Sequence, residues 1–199
     1  MRLDGGHPAL ELVNTIYAQV GGPVEHDVLG TPGDLLTFAR RVGVAGEWSA
    51  STPEAHGAAI ALREALDPLL RAHLKARAAR SVLPTHVKTA AGTAEVAPAL
   101  ASFEAAARAA QDAAWLAPGY AWTWDDADPL APVHRLAHAA ARLLTGEDLE
   151  LLDCCDACCW LYLDRTRKGR KWCSMADCGT EAKKRRYIER RRERRAASK

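Results

Sequence analysis

The chain has 199 residues, 48% of them hydrophobic, and its 27 Lys and Arg nearly balance 25 Asp and Glu for a net charge of +2. That length supports one sizeable domain, or a domain with a small module. No run of about 18 apolar residues is present to span a membrane. The opening MRLDGGHPALELVNT lacks the basic and apolar regions of a signal peptide, so a cytoplasmic, reducing setting is expected.

The first 150 residues read as mostly helical. In HPALELVNTIYAQV, Leu10, Val13, Ile16 and Tyr17 fall at helical spacing, and Gly21, Gly22 and Pro23 stop the run. TPGDLLTFARRVGV opens on Thr31 as N-cap with Pro32 at the first helical position, and Gly43 ends it. The longest helix is expected over 52–79, with Ser51 or Thr52 as cap, a buried stripe of Ile60, Leu62, Leu66, Leu69, Leu70 and Leu74, and a kink or break at Pro68. The stretch 81–100 reads as a connector with a short helix. SFEAAARAAQDAAWL is helical, YAWTWDD alternates like a short strand, and PLAPVHRLAHAAARLLTGEDLELL returns to helix. There is no repeat and no glycine-rich phosphate loop.

Charge is distributed unevenly. Residues 165–199 hold fifteen Lys and Arg against four Asp and Glu, a balance of +11, so residues 1–164 carry −9. Such asymmetry suggests a module that meets a polyanion attached to one that does not.

All six cysteines lie within residues 154–178. In a reducing compartment such clusters bind metal more often than they form disulfides, and no βαβ context supports a redox pair. Four thiolates hold Zn²⁺ tetrahedrally, and the metal supplies folding energy that a small segment lacks. Cys155 and Cys158 give a C-x2-C knuckle; Cys173 and Cys178 give a C-x4-C pair. Cys154 and Cys159 allow C-x3-C choices, but the tighter knuckle leaves them as spares. WLYLD and KWCSM read as two strands joined by RTRKGR, with Gly169 at the tip, followed by a basic helix.

Two basic clusters flank this site: Arg165, Arg167, Lys168, Arg170 and Lys171 in the turn, and Lys183, Lys184, Arg185, Arg186 and Arg190 on the helix. Together they form a patch able to neutralise phosphates. Tyr187 and Ile188, the large apolar residues of the tail, are expected to dock the helix near Trp160 and Trp172.

These residues resemble a known family. C-x2-C-x-W-L-Y-L-D, then R-K-W-C-S-M-A-D-C-G and a Lys/Arg-rich helix, is similar to the CGNR zinc finger. The front, with Gly5, Gly6, Leu10, Leu12, Asn14 and Thr15 followed by TPGDLLTFARRVGV, is similar to the ABATE domain that precedes that finger in bacterial stress-induced transcription regulators. The resemblance implies that Cys155, Cys158, Cys173 and Cys178 bind one zinc ion per chain and that the finger binds DNA. Where the family reads Cys-Gly-Asn-Arg, this chain has Cys178-Gly179-Thr180-Glu181. If Thr180 caps the helix, Glu181 sits favourably at the positive end of the dipole.

Outside the finger, His134 and His138 lie four apart but lack the Glu of a zinc protease motif, and read as structural. Trp115, Trp122 and Trp124 read as core. Asn14, Thr15 and Arg63 are polar groups in apolar helical segments and are candidates for a ligand pocket; the plain alternative has Asn14 and Thr15 end or cap local structure and puts Arg63 on a solvated face. No catalytic constellation is legible.

The expectation is a mainly α protein. Residues 1–150 form a helical domain for ligand sensing or dimerisation, with or without a short strand pair. Residues 151–199 form a small treble-clef-like zinc finger, a short β-hairpin plus basic helix. The function is a zinc-dependent, DNA-binding transcription regulator, not an enzyme, with a small-molecule effector and a homodimer as further partners. The alternative is a zinc-stapled module that binds RNA or an acidic protein.

Overall fold

The computed structural model describes residues 2–19, 22–44, 46, 51–82 and 93–197. The parts of the expected connector at 83–92 lie outside the described residues. The fold is mainly α. Its helices are α1 (Pro8–Val13), α2 (Pro32–Arg41), α3 (Pro53–Val82), α4 (Thr93–Asp112), α5 (Ala131–Thr145) and α6 (Thr180–Ala197). Three antiparallel hairpins punctuate them: β1 (Ile16–Ala18) with β2 (Val24–Asp27), β3 (Trp115–Ala117) with β4 (Ala121–Thr123), and β5 (Leu152–Cys154) with β6 (Leu161–Leu163).

α3 is the spine. Thr52 caps it by accepting from the Ala55 N–H at 3.1 Å, and it runs through Pro68 without interruption. Helices α1, α2, α4 and α5 bring Leu10, Leu35, Phe103 and Leu136 to a core with its Leu62, Leu66 and Leu70. At the start of α2, the Asp34 carboxylate accepts from the Thr31 N–H and hydroxyl at 2.8 and 2.7 Å, as the TPGD signature indicates.

The chain departs from the expected elements in four places. α1 stops at Val13 rather than continuing to Val20, because Asn14 leaves the helix and Ile16–Ala18 turns into a strand. α4 stops at Asp112, and Trp115 and Leu116 join a hairpin instead. That hairpin has two strands and little to cover it: Trp124 is buried, but Trp115 and Trp122 are 49% and 44% exposed, so those two are not core. α5 ends at Thr145, with Gly146 extended beyond it and a tight turn over Glu147–Leu151.

The fourth departure concerns the C-terminal hairpin. The expected partner of WLYLD was KWCSM, but β6 pairs with β5, in register Leu152↔Leu163, Asp153↔Tyr162 and Cys154↔Leu161. Residues 171–174 are not a strand. The other edge of β6 is already taken. Asn14 accepts from the Leu161 N–H and donates to its carbonyl, both at 2.8 Å, and the Leu163 N–H donates to the Gly5 carbonyl at 3.0 Å. No edge remains for a third strand.

Alternation along β6 assigns its two faces. Leu161 and Leu163, with Leu152 of β5, enter the main core beside α1 and α5. Tyr162, fully buried, points to the cysteines and donates its hydroxyl to the Arg170 carbonyl. One strand thus closes the helical core on one face and roofs the cysteine cluster on the other.

Candidate metal centre and basic face

The knuckle is the loop of the β5–β6 hairpin. The Cys155 N–H donates to the Trp160 carbonyl at 2.9 Å and the Cys159 N–H to the Cys155 carbonyl at 3.2 Å, which folds Cys155 and Cys158 toward each other. Cys159 takes a left-handed conformation, φ +59°, to leave the loop. The second pair arrives from the other side. The Asp156 N–H donates to the Lys171 carbonyl at 3.0 Å, which lays Cys173 against the knuckle, and a wide helical turn, Met175–Gly179, carries Cys178 into α6.

The four sulfurs of Cys155, Cys158, Cys173 and Cys178 lie within 4.8 Å of one another, and all four residues are buried. Measured separations are 3.6 Å for Cys158–Cys173, 3.7 Å for Cys173–Cys178 and 3.6 Å for Cys158–Cys178. A tetrahedral zinc–thiolate centre with bonds of about 2.3 Å puts its sulfurs about 3.8 Å apart, so the donor set fits. Electrostatics agree. Among themselves the thiols cannot all ionise: hydrogen bonds from Cys158 and Cys173 hold Cys155 far below the ordinary thiol value, and the Cys155 thiolate pushes both neighbours far above it. Burial pushes Cys178 up as well. A divalent cation at the centre relieves that conflict, because it pairs with four thiolates at once. The four cysteines are positioned to bind one metal ion, consistent with one Zn²⁺ per chain.

Cys154 and Cys159 stay outside this cluster. Cys154 lies in β5, with its sulfur 3.8 Å from Arg71 Nη1, and Arg71 Nη2 donates to the Cys159 carbonyl at 3.2 Å. Both spare cysteines therefore line the contact with α3. His134 and His138 do not join a metal group. His134 is buried with Nδ1 3.4 Å from an Asp128 carboxylate oxygen, and burial lowers its pKa; His138 packs against Trp124 with ring centroids 5.3 Å apart.

The basic residues separate into two classes. Arg165 is engaged in a bidentate pair with Asp148 at 3.2 and 2.9 Å. Arg170 stacks its guanidinium 4.3 Å above the Tyr162 ring and donates its backbone N–H to Asp164. The Asp164 carboxylate, which also accepts from the Thr166 hydroxyl and N–H, organises the whole turn and is held down at about 2, chiefly by the Thr166 hydroxyl. Sequence reasoning passed over Asp164, although an Asp before Thr with a glycine five residues on is a turn signal. Arg167, Lys168 and Lys171 are exposed.

α6 carries the second class. Lys183, Lys184, Arg185, Arg186 and Arg190 are all exposed along it. Tyr187 and Ile188 are also exposed, at 60% and 40%, so they do not dock the helix; the Arg186 guanidinium instead stacks 5.7 Å from the Trp172 ring. Thr180 does not cap α6. Its hydroxyl donates back to the Met175 carbonyl at 3.0 Å, because the wide turn already continues the helix upstream, and Glu181 pairs with Lys184 at 3.7 Å. Lys171, Trp172, Arg185 and Arg186 line a concave surface of about 370 Å³ with Gln19 at its rim.

Asn14 and Arg63 both line a cavity of about 290 Å³ between α3 and the knuckle. Asn14 is 1% exposed, and its amide gives one hydrogen bond to Leu161 and takes one from it. Arg63 is buried rather than solvated. It makes a bidentate pair with Asp27 at 2.8 and 2.9 Å and donates to the Thr15 hydroxyl at 2.9 Å. Burial alone would raise the Asp27 pKa, but the guanidinium outweighs it and holds the carboxyl below its ordinary value.

Two family models match the chain. The ABATE model, described as "Putative stress-induced transcription regulator", matches residues 6–147, and the CGNR zinc finger model matches residues 152–191. Neither family is described as an enzyme. No curated protein and no solved structure matches the chain. Among the described residues no helix is long and apolar enough to cross a membrane.

Proposed function

Because the chain belongs to the ABATE family and carries a CGNR zinc finger, we propose that it is a cytoplasmic, zinc-dependent, DNA-binding transcription regulator. The observation that carries this reading is the pairing of a four-cysteine centre with an exposed basic helix that starts at its last ligand. Cys155, Cys158, Cys173 and Cys178 are the zinc ligands, and the metal fixes the base of α6. Lys183, Lys184, Arg185, Arg186 and Arg190, with Arg167, Lys168 and Lys171 of the turn, meet phosphates; Arg165 and Arg170 brace the turn that presents them. The −9 balance of the remaining chain keeps the rest of the molecule off the polyanion.

Residues 1–150 act as the effector-binding and dimerising unit and residues 151–199 as the DNA-binding unit. The cavity lined by Asn14 and Arg63 is the effector site. A single finger covers little DNA, so two copies on two half-sites fit the task. The test is binding of labelled duplex DNA against single-stranded RNA of equal length across salt. Six phosphate contacts weaken duplex binding on the order of 10³-fold between 50 and 200 mM salt. Duplex affinity with no salt dependence, or a clear preference for RNA, refutes the reading.

A further inference from the structure

The effector cavity has walls from three sources. Val13, Ile16 and Ala18 come from α1 and β1; Arg63, Glu64, Asp67, Pro68 and Arg71 come from α3; and Cys158, Cys159 and Trp160 come from the knuckle. At about 290 Å³ it lies at the lower edge of small-molecule sites.

The polar groups in these walls are nearly all spent. The Arg63 guanidinium is paired with Asp27 through both Nη atoms, and its buried Nε has no hydrogen-bond partner among the described residues. Arg71 Nε donates to both Asp67 oxygens at 2.9 Å, and its Nη2 holds the Cys159 carbonyl. The Asn14 amide gives one hydrogen bond to Leu161 and takes one from it. Glu64 differs: it is exposed at the cavity rim, and no hydrogen bond or ion pair reaches it among the described residues. Once the two arginine pairs cancel, one carboxylate remains. Cys158 adds to the same sign, since four thiolates around a divalent ion leave a net negative charge. The remaining surface is apolar and aromatic, from Val13, Ile16, Ala18, Pro68 and Trp160.

We propose that the cavity binds a small organic monocation, an ammonium group on an apolar body, with the ammonium at Glu64 and the body between Pro68 and Trp160. An aromatic wall beside an anionic rim favours a cation, whereas a carboxylate would meet only paired arginines and uncompensated negative charge. This rests on the effector reading above and names its ligand class. It also sets a direction of coupling. The cavity exists only while the knuckle, with metal ligand Cys158, is seated against α3. A ligand that binds this assembled wall must tighten zinc binding, and zinc must strengthen ligand binding by the same factor; slower zinc release is the expected sign of that tightening.

The experiment uses the zinc-loaded full chain and three amines, phenethylamine, isoamylamine and tryptamine, against phenylacetate, isovalerate and indole-3-acetate. Calorimetry measures binding, and a coloured chelator measures zinc release. At least one amine is expected to bind below about 1 mM and to slow zinc release, while its matched acid does neither. Glu64→Gln should weaken that amine about tenfold, the worth of one charge-assisted hydrogen bond. The proposal is overturned if the acids bind as well as the amines, if no amine binds below about 1 mM, or if Glu64→Gln leaves amine affinity unchanged. DNA affinity of the wild type without any amine is measured in parallel, so loss of the regulator reading and loss of the ligand class are seen separately.

Discussion

Asn14 is the clamp between the two halves of the chain, and its removal has a calculable cost. Its side chain spans 147 positions of sequence to occupy both backbone groups of Leu161, at 2.8 Å each, in a site where it is 1% exposed. Asn14→Ala leaves a buried N–H and a buried carbonyl without partners. Each orphaned group costs about 1–3 kcal/mol, so the variant should lose about 4 kcal/mol in all. For a chain of this size that is a fall in Tm of roughly 10 °C. Urea and thermal unfolding of the zinc-loaded protein measure it. Asn14→Asp serves as a second probe, because it keeps the acceptor for the Leu161 N–H but sets a carboxylate against the Leu161 carbonyl; it should be at least as damaging at neutral pH. Both variants should also release zinc faster, since β6 carries Tyr162, and Trp160 just before the strand, into the cysteine cluster. An Asn14→Ala protein within about 1 kcal/mol of wild type would refute the reasoning.

Three further outcomes are expected. Wild type should hold one zinc per chain by metal analysis; serine at Cys155, Cys158, Cys173 or Cys178 should abolish it, and serine at Cys154 or Cys159 should not. Burial pushes Glu11 up to about 7 from 4.5, despite N–H donation from Gly5 and Gly6 at 2.9 and 3.0 Å. The folded chain therefore keeps a proton that the unfolded chain releases between those values. Stability from this group is full below pH 4.5 and lost as pH rises through 7, by about 3 kcal/mol, and Glu11→Gln should flatten that slope in pH-dependent unfolding. Gly5→Ala would place its Cβ 2.9 Å from Leu10 Cβ and 3.0 Å from Asn14 Nδ2, so denaturant melts should show a loss of about 1–3 kcal/mol.

The cysteine spacing made the metal ligands legible, because C-x2-C closes a knuckle through local geometry alone. The cap at Thr31 and the extent of α3 were equally local. The strand pairing was not. Whether LYL pairs with LDC or with KWCSM depends on which edge Asn14 and Gly5 occupy, and residues over 140 positions away decide that. The end of α1 was legible only as one of two roles for Asn14, which caps the helix while its amide reaches Leu161. Trp115 and Trp122 misled because aromatic alternation signals a strand but not whether another layer covers it. Arg63 likewise reads as a surface cation unless Asp27, on the β1–β2 hairpin, is known to reach it.

The dual allegiance of β6 has a consequence for how the protein is made. Leu152, Leu161 and Leu163 complete a core whose other members start at Ala9, so during synthesis the front helices wait for the last quarter of the chain before their apolar faces are sealed. The hairpin that seals them is held in shape by the thiolate centre. Loss of the metal is therefore expected to loosen the main core, and not the tail alone, because Leu152, Leu161 and Leu163 leave it together. Limited proteolysis of zinc-loaded and metal-stripped protein is the check: cuts should appear in the front helices as well as the tail once the metal is removed.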